Sequence, residues 1–210
     1  MEKLDLPVVE KKTPIAKDNK QEMHKLRNDF NIFLAKLSNK ETKHVALNEL
    51  KKIIESNINS DALKVFLSSL SNYDKTLTSL AKEGQIEILT VIIEKYKELD
   101  NSLQKVCNII YKTLNDSSLQ VHIACSNALI TLYTYCLSNR TKEQIKTFLY
   151  NPLEEIILTN PNKLAQSGAA KSIHVLILEF CRHKDLMKYL LPSFIDLFNV
   201  SIMFIIEIAY

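Results

Sequence analysis

The chain of 210 residues contains two glycines and no tryptophan. Strands, hairpins and phosphate-cradling loops draw on glycine, so its scarcity favours helices joined by short turns. It also excludes a glycine-rich nucleotide loop. The four cysteines, Cys107, Cys125, Cys136 and Cys181, form no C-x-x-C pair, so zinc-type spacing is absent. On one helix, Cys125 and Cys136 would lie about three turns apart, roughly 16 Å at helical rise and too far for a bridge. They read as buried, reduced thiols of a cytosolic chain.

Charge is equally sparing of extremes. The formal net charge is +3, with Lys/Arg and Asp/Glu nearly balanced. Arg27, Lys36, Lys51 and Lys52 read as a solvated helix surface, since nucleic-acid binding wants a basic stripe. The N-terminus lacks the apolar run of a signal peptide. The apolar stretch from Tyr189 to Ile206 holds Pro192, Asp196 and Asn199, which a membrane span tolerates poorly. No Ser/His/Asp or Cys/His arrangement can be nominated, and Glu154 and Glu155 are adjacent, so on a helix they point apart. His122 and Cys125 stand three apart but have no second half of a metal site, and no cofactor is expected. His174 is expected at the boundary of its helix's inward stripe.

What is present is a helix-turn-helix unit recurring about every forty residues. Its clearest copy covers residues 103–136. Leu103, Val106, Cys107, Ile110 and Leu114 share one helical face, the turn is Asn115-Asp116-Ser117-Ser118, and Val121, Ala124, Cys125, Ala128, Leu129 and Leu132 follow. Repeat one places Leu26, Phe30, Phe33, Leu34 and Leu37 against Ala46, Leu47, Leu50, Ile53 and Ile54, across the turn Ser38-Asn39-Lys40. Repeat two carries Leu63, Phe66, Leu67 and Leu70, capped by Ser60 or Asp61, then Ile86, Leu89, Ile93 and Tyr96. There Gly84 marks either close packing or a late helix start. Repeat four, from Thr141, is one kinked helix or two short ones around Asn151-Pro152. It is followed by the stripe Ala169, Ala170, Ile173, Leu176, Ile177 and Phe180. Repeat five begins near Asp185, bends at Pro192, and is expected to be incomplete, its partner helix cut short at Tyr210.

Repeats of this length imply an all-α fold, a right-handed α-solenoid of about four to five helical hairpins over residues 22–210. A disordered tail is expected at 1–21. A solenoid offers an extended surface rather than a reaction pocket, so the expected activity is binding, not catalysis.

The run Asn115-Asp116-Ser117-Ser118-Leu119-Gln120-Val121-His122, followed by Ala124 and Ala128-Leu129, resembles the core of a HEAT (armadillo-like) repeat. The resemblance implies that Asp116 caps the second helix. It also implies an Asp–Arg ladder along one edge, but His122 stands here in place of the arginine. Three further stretches resemble the N-terminal HEAT domain of the Tortifolia/Spiral family of microtubule-associated proteins, over about residues 23–198. They are Leu34 to Thr42 with Ala46, Glu49 and Leu50; Phe148-Leu149 with Pro152-Leu153; and Gln166-Ser167-Gly168-Ala169-Ala170.

This resemblance implies a TOG-like array that binds tubulin or microtubules through the turns inside each repeat. The edge would present Ser38, Asn39, Lys40, Lys43, Lys75, Lys82, Asn115, Ser118, Asn162 and Lys163. It would place the protein on cytoplasmic or ciliary microtubules. Tubulin-capturing TOG domains carry a tryptophan in the first turn, so its absence here favours binding to the lattice over capture of free tubulin. Two other readings stand beside this one. One is a general HEAT adaptor holding protein partners on its concave face. The other is a structural subunit self-associating through the apolar stretch from Ile202 to Tyr210.

Overall fold

The computed structural model describes residues 15–71, 77–96 and 99–209, with side chains described from residue 20 to residue 199 within those segments. Among the described residues there are ten α-helices and no strand. These are α1 (Ile15–Lys36), α2 (Lys40–Ser56), α3 (Ser60–Ser71), α4 (Ser79–Lys95), α5 (Leu103–Thr113), α6 (Leu119–Leu132), α7 (Lys142–Ile145), α8 (Asn151–Thr159), α9 (Lys163–Phe180) and α10 (Lys184–Ala209). A π-helical turn at Tyr133–Leu137 extends α6, and a second at Lys146–Tyr150 joins α7 to α8.

Consecutive helices pair as hairpins: α1 with α2, α3 with α4, α5 with α6, and α8 with α9. The first helices stack as one layer, α1 on α3 on α5, and the second helices as another, α2 on α4 on α6 on α9. This is an α-solenoid of helical repeats, as the forty-residue period predicts. One continuous apolar cluster runs from Leu26 to Leu197 between the layers. The inward stripes are those read from the period, except that Phe33, Ile53, Ala124 and Ile177 are only half-buried and Ala170 is exposed. Phe30 and Phe66, fully buried with ring centroids 4.7 Å apart, join repeat one to repeat two.

Local chemistry sets the helix ends. Asn39 caps α2 by accepting the Glu41 amide, and Thr78 caps α4 by accepting that of Ala81. The cap of α3 is Asn59, whose Oδ1 accepts the Ala62 amide at 2.8 Å, rather than Ser60 or Asp61. The turn places Asn59 where its amide oxygen reaches the free N–H of Ala62, three residues on. Gly84 lies mid-helix in α4 against Leu37, which settles it as a close-packing residue.

Three expectations are corrected. Helix α1 begins at Ile15, so residues 15–21 of the expected tail are helical, while residues 1–14 lie outside the described residues. The two alternatives for repeat four merge: two short helices, α7 and α8, run on without a break through the π turn between them. Pro152 has no N–H for the carbonyl of Phe148, and the π turn before it absorbs the misfit without ending the helix. The Tyr111 hydroxyl donates to that Phe148 carbonyl instead. Lastly, α10 runs through Pro192 to Ala209 as one helix, so among the described residues the expected partner helix of repeat five is not a separate element. The side chains of residues 202–210, named above for self-association, lie outside the described residues.

Candidate functional site

The described turn residues inside the repeats are 37–39, 77–78, 114–118 and 160–162. Stacking of the second-helix layer brings them to one edge. Neighbouring turns are tied to each other by polar bonds, and these bonds decide which side chains a partner can reach.

Between repeats one and two, Lys43 of α2 donates to Glu83 at 2.7 Å and Glu87 at 3.1 Å on α4. Between repeats two and three, Lys82 pairs with Asp116 at 2.8 Å, and the Ser79 hydroxyl donates to the same carboxylate at 2.7 Å. Between repeats three and four, the Asn162 amide donates to the Asn115 carbonyl at 3.4 Å. Each bond spans one repeat, so a single polar line follows the edge from α2 to α9.

Asp116 is the centre of that line. It is buried, and its Oδ1 also accepts the Ser118 amide at 2.8 Å. Burial alone would raise its pKa. The hydrogen bonds from Lys82, Ser79 and the Ser118 amide, with the Lys82 charge, outweigh burial and hold the carboxyl below its ordinary 3.8. The expectation that Asp116 caps α6 is corrected. It holds the amide of Ser118, the residue before the helix, and spends its remaining valence on α4. The cation missing from the expected ladder comes from the preceding repeat as Lys82.

His122, in the arginine's place, is buried and bonds inward. Its Nε2 lies 2.7 Å from the Asp116 carbonyl, which only accepts, so Nε2 carries the proton. Gly168 on α9 presses against the ring, where a Cβ would come within 2.9 Å of Cδ2. Four residues on, Ser126 of α6 meets Ser172 of α9 hydroxyl to hydroxyl at 3.0 Å. The pairs 122–168 and 126–172 keep one offset, so α6 and α9 run parallel in register.

Of the expected edge residues, Ser38, Asn39, Lys40, Asn115 and Lys163 are exposed, and Ser118 and Asn162 are half-buried. Asn162 caps α9 through the Leu164 amide. Lys43 and Lys82 are engaged in the ion pairs above. Lys75 lies outside the described residues. Among the described edge lysines, Lys40 and Lys163 therefore carry the charge open to solvent.

Other expected sites resolve simply. Cys107 and Cys125 are buried and unpaired, Cys136 is half-buried and Cys181 exposed. Burial pushes the Cys107 thiol up to about 12 and that of Cys136 up to about 11. Among the described residues no three His, Cys, Asp or Glu side chains gather as for a metal ion. No described helix is long and apolar enough to cross a membrane. His174 is exposed rather than at the core boundary.

Two features escaped the sequence reading. On the opposite edge a cavity of about 310 Å³ is lined by Arg140, Lys142, His183, Lys184 and Asp185, drawn from the turns before α7 and before α10. On the second-helix layer, an apolar groove of about 550 Å³ lies between α6 and α9. The first gathers residues from two turns some forty positions apart. The second is walled by exposed Leu119 and Ile123, which helical period assigns to no core, and by Ala170, which it places inward.

The fold and this edge define a helical-repeat protein of the α-solenoid class. Residues 24–200 match the family model described as TORTIFOLIA1 N-terminal, and the chain belongs to that family. It is 27% identical over 168 residues to TORTIFOLIA1-like protein 1 of Arabidopsis thaliana, a match covering 76% of this chain and 20% of that protein. The chain thus spans about one fifth of the relative's length.

Proposed function

We propose that this chain is a non-catalytic HEAT module that binds the microtubule lattice through its turn edge. Membership of the Tortifolia family supports the partner. The observation that carries the mechanism is the polar line from Lys43 to Asn162, which fixes the turns as one rigid edge and leaves Lys40 and Lys163 open at its two ends. An acidic surface is attracted to such fixed cations, and rigidity spares the ordering cost of binding. Lys43 and Lys82 hold the edge together rather than touching the partner. Without a tryptophan anchor, the edge suits many weak lattice contacts better than capture of a free tubulin dimer.

The test is co-sedimentation with taxane-stabilised microtubules at low and physiological salt. The expected result is saturable pelleting that weakens with salt, as screened surface charge must. Lys40→Glu with Lys163→Glu should reduce affinity about tenfold at low salt, with an unchanged helical circular-dichroism spectrum. No pelleting of the native chain at low salt would overturn the proposal and favour the adaptor reading. The groove between α6 and α9 is the observation that favours that second reading.

A further inference from the structure

The second-helix layer changes character along its length. Over α2 and α4 its outer surface is dense with paired charge: Lys43 with Glu83 and Glu87, Lys95 with Glu55, and Lys52 with Glu49. Over α6 there is no charged residue at all. Instead Leu119 and Ile123, one turn apart, stand 52% and 44% exposed. Facing them on α9 are Ala170, Lys171, His174 and Val175.

The groove between these walls has a physical origin. Gly168 and Ala169 let α9 approach α6 closely, as the Ser126–Ser172 contact shows, and Ala170 is too short to fill the space beside Ile123. From Leu119 to Asn127 the groove wall is about 12 Å long at helical rise, enough for two turns of a docked helix. Its ionisable lining groups are Lys171, His122 and His174, and among the described residues none is acidic. His122 is buried with its Nε2 engaged and its Nδ1 unpartnered.

From this we infer that the α6–α9 groove is a docking site for an amphipathic helix of a protein partner, one bearing carboxylates beside its apolar stripe. The stripe packs on Leu119 and Ile123, in the manner of a helix laid in a groove and read at i, i+4 and i+7 anchors. Carboxylates at its margin meet Lys171. The charge of the rim selects an acidic helix over a basic one, and the open, two-walled shape selects a helix over an enclosed small molecule. The site lies on the layer's outer surface and adjoins the turn edge at Leu119, but it includes neither Lys40 nor Lys163.

The experiment uses the full chain and a fluorescein-labelled 16-residue helical peptide with leucines at i, i+4, i+7 and i+11 and glutamates on both flanks. Its counterpart has lysine in place of every glutamate. Fluorescence anisotropy should show saturable binding of the glutamate peptide and at least tenfold weaker binding of the lysine peptide. Ile123→Glu, at an exposed position that leaves the fold intact, should abolish binding. Lys171→Glu should weaken the glutamate peptide about tenfold and improve the lysine peptide. Equal binding of both peptides, no binding of either, or indifference to Ile123→Glu would overturn the inference. Concentration-dependent dimerisation lost in Ile123→Glu would also overturn it, by assigning the groove to a second copy. Ile123→Glu should pellet with microtubules as the native chain does, so this inference and the edge proposal fail separately.

Discussion

At the residue scale, Asp116 shows how a charge is kept in a repeat junction. It is buried, yet it accepts from a lysine, a serine hydroxyl and an amide. Removing one partner of such a pair leaves the other charge poorly solvated. Lys82→Met should cost on the order of 2–3 kcal/mol, below the full cost for a buried pair because the Lys82 side chain keeps 26% of its exposure. Because the folded carboxyl titrates below its ordinary value, its stabilisation is complete above about pH 4 and is lost as pH falls through the folded pKa. Urea unfolding at pH 7, 5 and 3 should show a level upper range and a falling acid limb. In Lys82→Met the whole curve should be lower and the acid limb shallower.

The two glycines make a contrasting pair at the same scale. Alanine is favoured over glycine inside a helix by roughly 1 kcal/mol. At Gly84 a Cβ would meet Leu37 methyls at 3.2 and 3.3 Å and Lys43 Cε at 3.4 Å, contacts relieved by a shift of a few tenths of an ångström. At Gly168 it would meet the His122 ring at 2.9 Å, and that ring is buried and held by the Asp116 carbonyl. Thermal denaturation should find Gly84→Ala neutral or slightly stabilising. Gly168→Ala should lose about 1–3 kcal/mol by overpacking. Gly168→Ala should cost much less in a His122→Ala background than in the native one.

At the scale of elements, tyrosines clasp neighbouring repeats. Tyr96 donates to the Asn57 carbonyl, Tyr111 to that of Phe148, and Tyr150 to that of Ser193 at 2.6 Å. The Tyr111 bond matters most, because Pro152 deprives Phe148 of its usual helical donor. Tyr111→Phe should therefore destabilise by about 1–2 kcal/mol in chemical denaturation, the cost of a carbonyl left unpaired at a packed junction. The inward stripes, the turns at 38–40 and 115–118 and the hairpin order were legible in the sequence, since each follows from local period and turn chemistry. The clasps and the Lys82–Asp116 pair were not, because both join residues some forty positions apart. Lys43 and Lys82 illustrate the difference. As sequence they are turn lysines fit to meet a partner, and only packing against α4 and the turn before α6 reveals them as internal ties. The reading of α10 differed in its extent: a second helix was expected to begin near residue 200, but a single helix continues from Lys184 to Ala209.

For the whole molecule, the polar line along one edge and the apolar groove on a layer face are products of the same stacking. Each repeat contacts chiefly its neighbours, so stability is distributed along the array. The two π turns, Tyr133–Leu137 and Lys146–Tyr150, have a consequence of another kind, for how the gene can vary in length. A π turn holds one residue more than the α-helix around it needs, so removing that residue restores α geometry and leaves every downstream side chain facing as before. Elsewhere in a helix a one-residue deletion rotates all that follows by about 100° and turns the core stripe outward. Deleting exposed Thr134 from the first π turn, which no proline follows, should therefore yield a folded, helical chain, whereas deleting Asn127 from the middle of α6 should not, and circular dichroism with thermal melting would tell them apart.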